Sequence, residues 1–132
     1  MNQPNHHQHP EIWFRPSPAL SLEVLSELIE TGNITATPRL GKRDAEHPKG
    51  YIPGTVATLR LHDANRQEKF CMRVRIENVC SKPLRDLGVM ELGSVAYYVQ
   101  GLPSVQQDLS FFEGRPVAAD EMVSVIKFSY LK

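Results

Sequence analysis

Hydrophobic positions along the chain follow two periods in turn. From Ser21 to Gly32, Leu22, Leu25, Leu28 and Ile29 recur at the spacing that gathers side chains on one helical face, while Glu23, Glu27 and Glu30 fall opposite. Ser21 offers an N-cap oxygen and Gly32 stands just past the last turn, so this segment is predicted to be an amphipathic helix packed on a core. Elsewhere the period is two. Residues 55–62 set Ala57, Leu59 and Leu61 against Val56, Thr58, Arg60 and His62, and residues 70–79 set Met72, Val74 and Ile76 against Cys71, Arg73, Arg75 and Glu77. The polar run 63–68 between them is turn chemistry. An antiparallel hairpin is predicted, with Arg60, Arg73 and Arg75 on its wet face.

The remaining apolar runs complete an α+β outline. Residues 11–15, closed off by Pro16 and Pro18, read as a short first strand. Residues 122–131 read as a last strand with Ile126, Phe128 and Tyr130 on one side, returning to pair with the first strand or the hairpin. The helix predicted near the end opens on a capping box, Ser104 with Gln107, buries Val105, Leu109 and Phe112, and closes at Gly114. Between these, residues 83–88 are irregular or a short helix. Residues 89–100 fit either a helix, through Leu92, Ala96 and Val99, or a buried strand; helix is favoured. The expected architecture is a small, mainly antiparallel sheet with two or three helices over residues 11–132, preceded by a mobile polar tail over residues 1–10.

Composition narrows the class. At 132 residues with 41% hydrophobic content, the chain suits one folded soluble domain, and 8 Gly and 10 Pro fit neither collagen nor wholesale disorder. With no long apolar run and no basic stretch leading into one, a cytoplasmic protein without membrane contact is expected. Cys71 and Cys80 lie too far apart for a zinc knuckle and are expected as reduced thiols. His6, His7 and His9 form a flexible cluster without a carboxylate or thiol at ligand spacing, so no metal and no cofactor is expected. The formal net charge is zero, yet residues 39–85 hold eleven Lys or Arg against five acids, leaving the middle of the chain basic and its ends acidic.

Common nucleotide-binding and hydrolytic signatures are missing. There is no glycine-rich phosphate loop, no Gly-x-Ser-x-Gly and no His-Glu-x-x-His. A cysteine nucleophile would need Cys71 or Cys80 beside His47 or His62, and neither has a neighbouring sequence feature of the kind that activates a thiol. The segment that stands out is Gly32 to Arg43, and its key part is residues 33–39. In extended form it places Thr35, Thr37 and Arg39 on one side, beside a loop with Lys42 and Arg43, a donor set suited to an anion, a phosphate or the polar edge of a base. The plainer alternative has the threonines bonding to backbone and Arg39 paired with Asp44 or Glu46.

Taken together, the helix ending at Gly32, the Gly-x-x-Thr-x-Thr-x-Arg stretch, the long loop into a strand near Gly54-Thr55, the run Ser81-Lys82-Pro83-Leu84-Arg85-Asp86-Leu87 and the final apolar strand resemble the ASCH domain of the PUA-like superfamily. The resemblance spans residues 11–131. It implies a small β-barrel with flanking helices and a cleft lined by the residues after the first helix. Most such domains are linked with RNA or other nucleic acids, and some are amidohydrolases of acylated cytidine or ribonucleases. In the hydrolases a lysine two residues after the glycine, a threonine and a later glutamate carry the reaction. Here Gly32, Thr37 and Arg39 match, Ile34 stands at the lysine position, and Gln100 or Glu91 is the counterpart of the glutamate. Neither Ile34 nor Gln100 can do acid-base work.

The resulting expectation is an RNA-binding or other nucleic-acid-binding domain. Thr35, Thr37 and Arg39 contact the ligand, with Lys42, Arg43, Arg60, Arg73 and Arg75 on the adjoining surface. The alternatives are a small amidohydrolase acting on N4-acylated cytidine or a related nucleoside through Thr37, or a nuclease, with a nucleoside or nucleotide as the other candidate partner, and an interaction domain using Tyr97-Tyr98 and Phe111-Phe112.

Overall fold

Arg39 reaches from one edge of the sheet to the other, and that bond describes the shape of the molecule. The computed structural model describes residues 10–43, 50–87 and 102–131. The polar tail, residues 44–49 of the long loop, the helix predicted over 89–100 and Gln100 lie outside the described residues. Among the described residues five strands form one sheet: β1 (Glu11–Phe14), β2 (Ala36–Leu40), β3 (Val56–His62), β4 (Glu68–Pro83) and β5 (Met122–Tyr130), in the order β1-β3-β4-β5-β2. Only β1 and β3 are parallel; the other pairs are antiparallel. Although β1 and β2 are the two outer strands, Arg39 Nη2 on β2 donates to the Trp13 carbonyl on β1 at 2.6 Å. The sheet is therefore curled, edge towards edge, into the small α+β barrel that the resemblance implied.

Alternation places the core as expected in the hairpin. Ala57, Leu59, Leu61, Val74 and Ile76 are buried, joined by Ile12, Phe14, Ile126 and Phe128, and helix α1 (Leu22–Glu30) covers them with Leu25 and Ile29. Ser21 caps α1, its hydroxyl accepting from Val24 N–H at 3.3 Å, and Gly32 follows with φ +73°. A second cluster unites Ala36, Val123 and Val125 with Val105 and Leu109 of helix α2 (Leu102–Glu113), and a short 3-10 helix at Leu84–Asp86 joins it. Since Val123 and Val125 serve one cluster and Ile126 and Phe128 the other, β5 is buried on both faces. It pairs with both β2 and β4.

Three expectations need correction. Helix α2 starts at Leu102, so Ser104 lies within its first turn and is not the cap; Pro103 falls at a position where a proline costs the helix no hydrogen bond. Strand β4 does not stop at Val79: after a register shift between Ile76 and Asn78 it continues on β5 alone as far as Pro83, which puts Cys80 inside the strand. The bulge interrupts the alternation on which the sequence reading relied. Finally, His62 is not on the wet face in effect. It is 7% exposed because Trp13 stacks on it, the ring centroids 4.3 Å apart.

Candidate functional site at the barrel seam

The free edge of β1 points two carbonyls towards β2, and each has a dedicated donor. Tyr51 Oη donates to the Glu11 carbonyl at 2.6 Å, and Arg39 serves that of Trp13. Capping an open edge in this way satisfies backbone groups that would otherwise recruit another strand. It also leaves room between the edges. A cavity of about 180 Å³ occupies the seam, with Trp13 and Phe14 of β1 on one side, Arg39 and the following Arg43 on another, His62 at the end of β3, and Phe112 of α2 closing it.

The sheet's register explains why the barrel turns polar here. Arg39, Ser124 and Ser81 are cross-strand neighbours in a row, one step beyond the apolar Ile126. Ser124 is fully buried and works in several directions: its Oγ lies 2.8 Å from Ser81 Oγ, donates to the Gly41 carbonyl at 2.7 Å and accepts from Arg43 N–H at 2.7 Å. Gly41, at φ +94°, makes the turn that a side chain would resist. Together these contacts fix Arg43, whose Nε donates to the Leu40 carbonyl at 2.9 Å. Burial lowers the pKa of Arg43, with the nearby Arg39 charge adding to the effect and Tyr51 and Glu113 opposing it.

Period two holds for the threonine-arginine segment. Thr37 and Arg39 share a side, and Arg39 Nη1 donates to Thr37 Oγ1 and to the Pro38 carbonyl. Thr37 is fully buried; Arg39 is half-buried, lines the cavity and lies 5.1 Å above the Phe14 ring. Thr35 is half-buried and precedes β2, and its carbonyl accepts from Phe128 N–H. Lys42 is exposed next to Arg43. Arg60 lies elsewhere in character, bonded to Glu11 at 2.8 Å and Glu68 at 2.7 Å. Burial works against ionisation of Glu11, but hydrogen bonds from Trp13 and Arg60 and the Arg60 charge outweigh it, holding the carboxyl below its usual range. Arg73 and Arg75 are exposed on the outer face of β4, opposite Thr58 and Val56.

Sequence reasoning missed the cavity's aromatic side. Trp13, Phe14 and Phe112 all line it, and Arg15 adds a guanidinium 5.1 Å from the Phe112 ring. The signal available was Trp13-Phe14 in so short a strand: alternation sends one ring to each face, and at an open edge both can border the same gap. Asp108, buried on α2, and Glu113 supply carboxylates to the wall. Among the described residues no group of three His, Cys, Asp or Glu is placed to hold a metal ion. Cys71 and Cys80 are both free thiols, and among the described residues no helix is long and apolar enough to cross a membrane.

No protein-family model and no curated protein matches the chain. Solved structures do. A protein of Enterococcus faecalis V583 in the family DUF984 is similar at 17% identity, with a TM-score of 0.59 over 93% of this chain and 80% of its own. An ASCH domain from Lactobacillus crispatus JV V101 is similar at 13% identity, with a TM-score of 0.60 over 92% of this chain and 79% of its own. The curled sheet with its seam thus has the fold of an ASCH domain.

Proposed function

We propose that the chain is an ASCH-type RNA-binding domain in which the seam cavity holds one nucleotide of a single-stranded segment. The observation that carries this reading is the meeting of Arg39 and Arg43 with Trp13, Phe14 and Phe112 in one cavity. Guanidinium groups beside aromatic rings suit the two parts of a nucleotide, an anionic phosphate and a flat base. The Arg39 charge helps to lower the pKa of the partly buried Arg43, and a bound phosphate would offset that repulsion. Trp13, 55% exposed, offers a further surface on which a base can stack. The exposed Lys42, Arg73 and Arg75 then act as secondary contacts along the strand's backbone.

The arrangement favours binding over hydrolysis of an acylated cytidine, or nuclease action, through Thr37. The Thr37 hydroxyl is buried and bonded by Arg39, and Ile34, at the lysine position, is wholly within the core. Titration with single-stranded and double-stranded RNA and DNA at two salt concentrations tests the proposal. Single-stranded RNA should bind most tightly, and more tightly at low salt because phosphate contacts release counterions. Absence of binding to every nucleic acid would overturn it, and turnover of an acyl-cytidine that disappears in Thr37→Ala would establish the hydrolase instead.

A further inference from the structure

Arg39 and Arg43 have donors left over. A guanidinium carries five N–H groups in a fixed fork. Arg39 commits three of them: Nη1 donates to Thr37 Oγ1 and the Pro38 carbonyl, and Nη2 donates to the Trp13 carbonyl. Arg43 commits one, from Nε to the Leu40 carbonyl. Among the described residues, the other two N–H groups of Arg39 and the other four of Arg43 have no partner, although both side chains are half-buried and line the seam cavity. Donors fixed in position and partly withdrawn from water suit an acceptor that comes from outside the chain. The two carboxylates of the wall, Asp108 and Glu113, both come from α2, a different element from the one that carries these arginines.

The donor count distinguishes two kinds of phosphate. An internal phosphodiester presents two non-bridging oxygens and one negative charge, and its other two oxygens must each lead out to a sugar. A phosphate monoester presents three oxygens and close to two charges near pH 7, and leads out in one direction only. Two guanidinium forks in one cavity, with six uncommitted N–H groups between them, match the monoester. The space agrees: at about 180 Å³, bordered by β1, β2, the end of β3 and α2, the cavity gives the end of a strand a place to stop.

We propose that the seam cavity selects a phosphorylated strand end, a phosphate monoester gripped by Arg39 and Arg43, over an internal phosphodiester; this rests on the reading of the cavity as a nucleotide site. The test is a titration of one short single-stranded RNA sequence in three forms, with a 5′-phosphate, with a 3′-phosphate and with hydroxyls at both ends. Trp13, the only tryptophan in the chain, lines the cavity and supplies the fluorescence signal. One of the two phosphorylated forms should bind about tenfold more tightly than the hydroxyl form, the worth of one charge-assisted hydrogen bond, and which one it is fixes the end recognised. A hydroxyl-ended RNA longer by one nucleotide, which adds an internal phosphate instead, should gain less than about twofold. The end preference should collapse in Arg43→Gln, fall to an intermediate value in Arg43→Lys, which keeps the charge without the fork, and persist in Arg66→Ala.

Equal binding of all three forms by the wild type, an equal gain from the added internal phosphate, or an undiminished preference in Arg43→Gln would overturn the inference. These outcomes are separable from failure of the nucleotide reading. If the wild type binds RNA whatever its ends, that reading stands and the end recognition falls; if no form of the RNA binds, both fall.

Discussion

Arg39 and Arg60 are both half-buried and both held by hydrogen bonds, yet they end in opposite electrostatic states. Arg60 donates to two carboxylates, Glu11 and Glu68, and its pKa is raised by them. Arg39 donates to a hydroxyl and two carbonyls, those of Thr37, Pro38 and Trp13. The charge of the first is matched by two carboxylates, whereas the hydrogen-bond partners that orient the second are neutral. Of the eleven basic residues in the middle of the chain, Arg60 is thus already matched by carboxylates. What matters for an anion is which of them are fixed by neutral partners beside a cavity.

Removing Arg39 should have the largest effect, because it both bridges the sheet edges and carries charge. Arg39→Ala is expected to cost about 2–3 kcal/mol in urea unfolding, through the unmet Trp13 and Thr37 groups, and to weaken single-stranded RNA binding more than tenfold. Arg43→Gln should separate the two roles. Its backbone N–H still bonds to Ser124, so unfolding should change by less than about 1 kcal/mol while RNA affinity falls about tenfold. Arg60→Ala should leave affinity within about twofold in the same titration, because its charge is already matched. A larger loss there than at Arg43 would break the comparison.

Acid offers a finer test on the carboxylate-held arginines. Hydrogen bonds from Arg115, together with that from Ala118 N–H and the Arg115 charge, hold the Glu121 carboxyl down at about 2 from an ordinary 4.5. A carboxyl with a lowered folded-state pKa stabilises the fold above its unfolded value, and that contribution is lost as pH falls through 4.5 towards 2. Melting curves of the wild type and Arg115→Ala should therefore converge as pH is lowered over this range. Arg39, whose partners do not titrate there, should show no such convergence against Arg39→Ala.

Local pattern made much of the fold legible. Period two found the interior of β3 and the first half of β4, and the Ser21 cap and Gly32 bounded α1, because in each case the deciding interactions lie within a few residues. Pairing Thr37 with Arg39 followed from the same rule. The seam was not legible, since it is made by two outer strands that never pair: Trp13 and Arg39 are 26 residues apart and meet only through the curl of the whole sheet. The bulges near His62 and Asn78 hid for a related reason. Each shifts the register of one strand against another, and neither strand's own alternation records it. Ser124, set between Val123 and Val125, joins a buried network whose partners Gly41, Arg43 and Ser81 are too distant in sequence for the pattern of the last strand to reveal.

The most direct measurement is the affinity for a short single-stranded RNA, read from Trp13 fluorescence at two salt concentrations, for the wild type, Arg43→Gln and Arg66→Ala. Arg66 lies exposed in the turn between β3 and β4, so it provides a surface charge outside the cavity. About a tenfold loss in Arg43→Gln, beside a change of less than about twofold in Arg66→Ala, is expected for an anion held at the seam. Equal losses in the two folded variants would mean that RNA is attracted by diffuse surface charge and that the seam cavity holds no part of it.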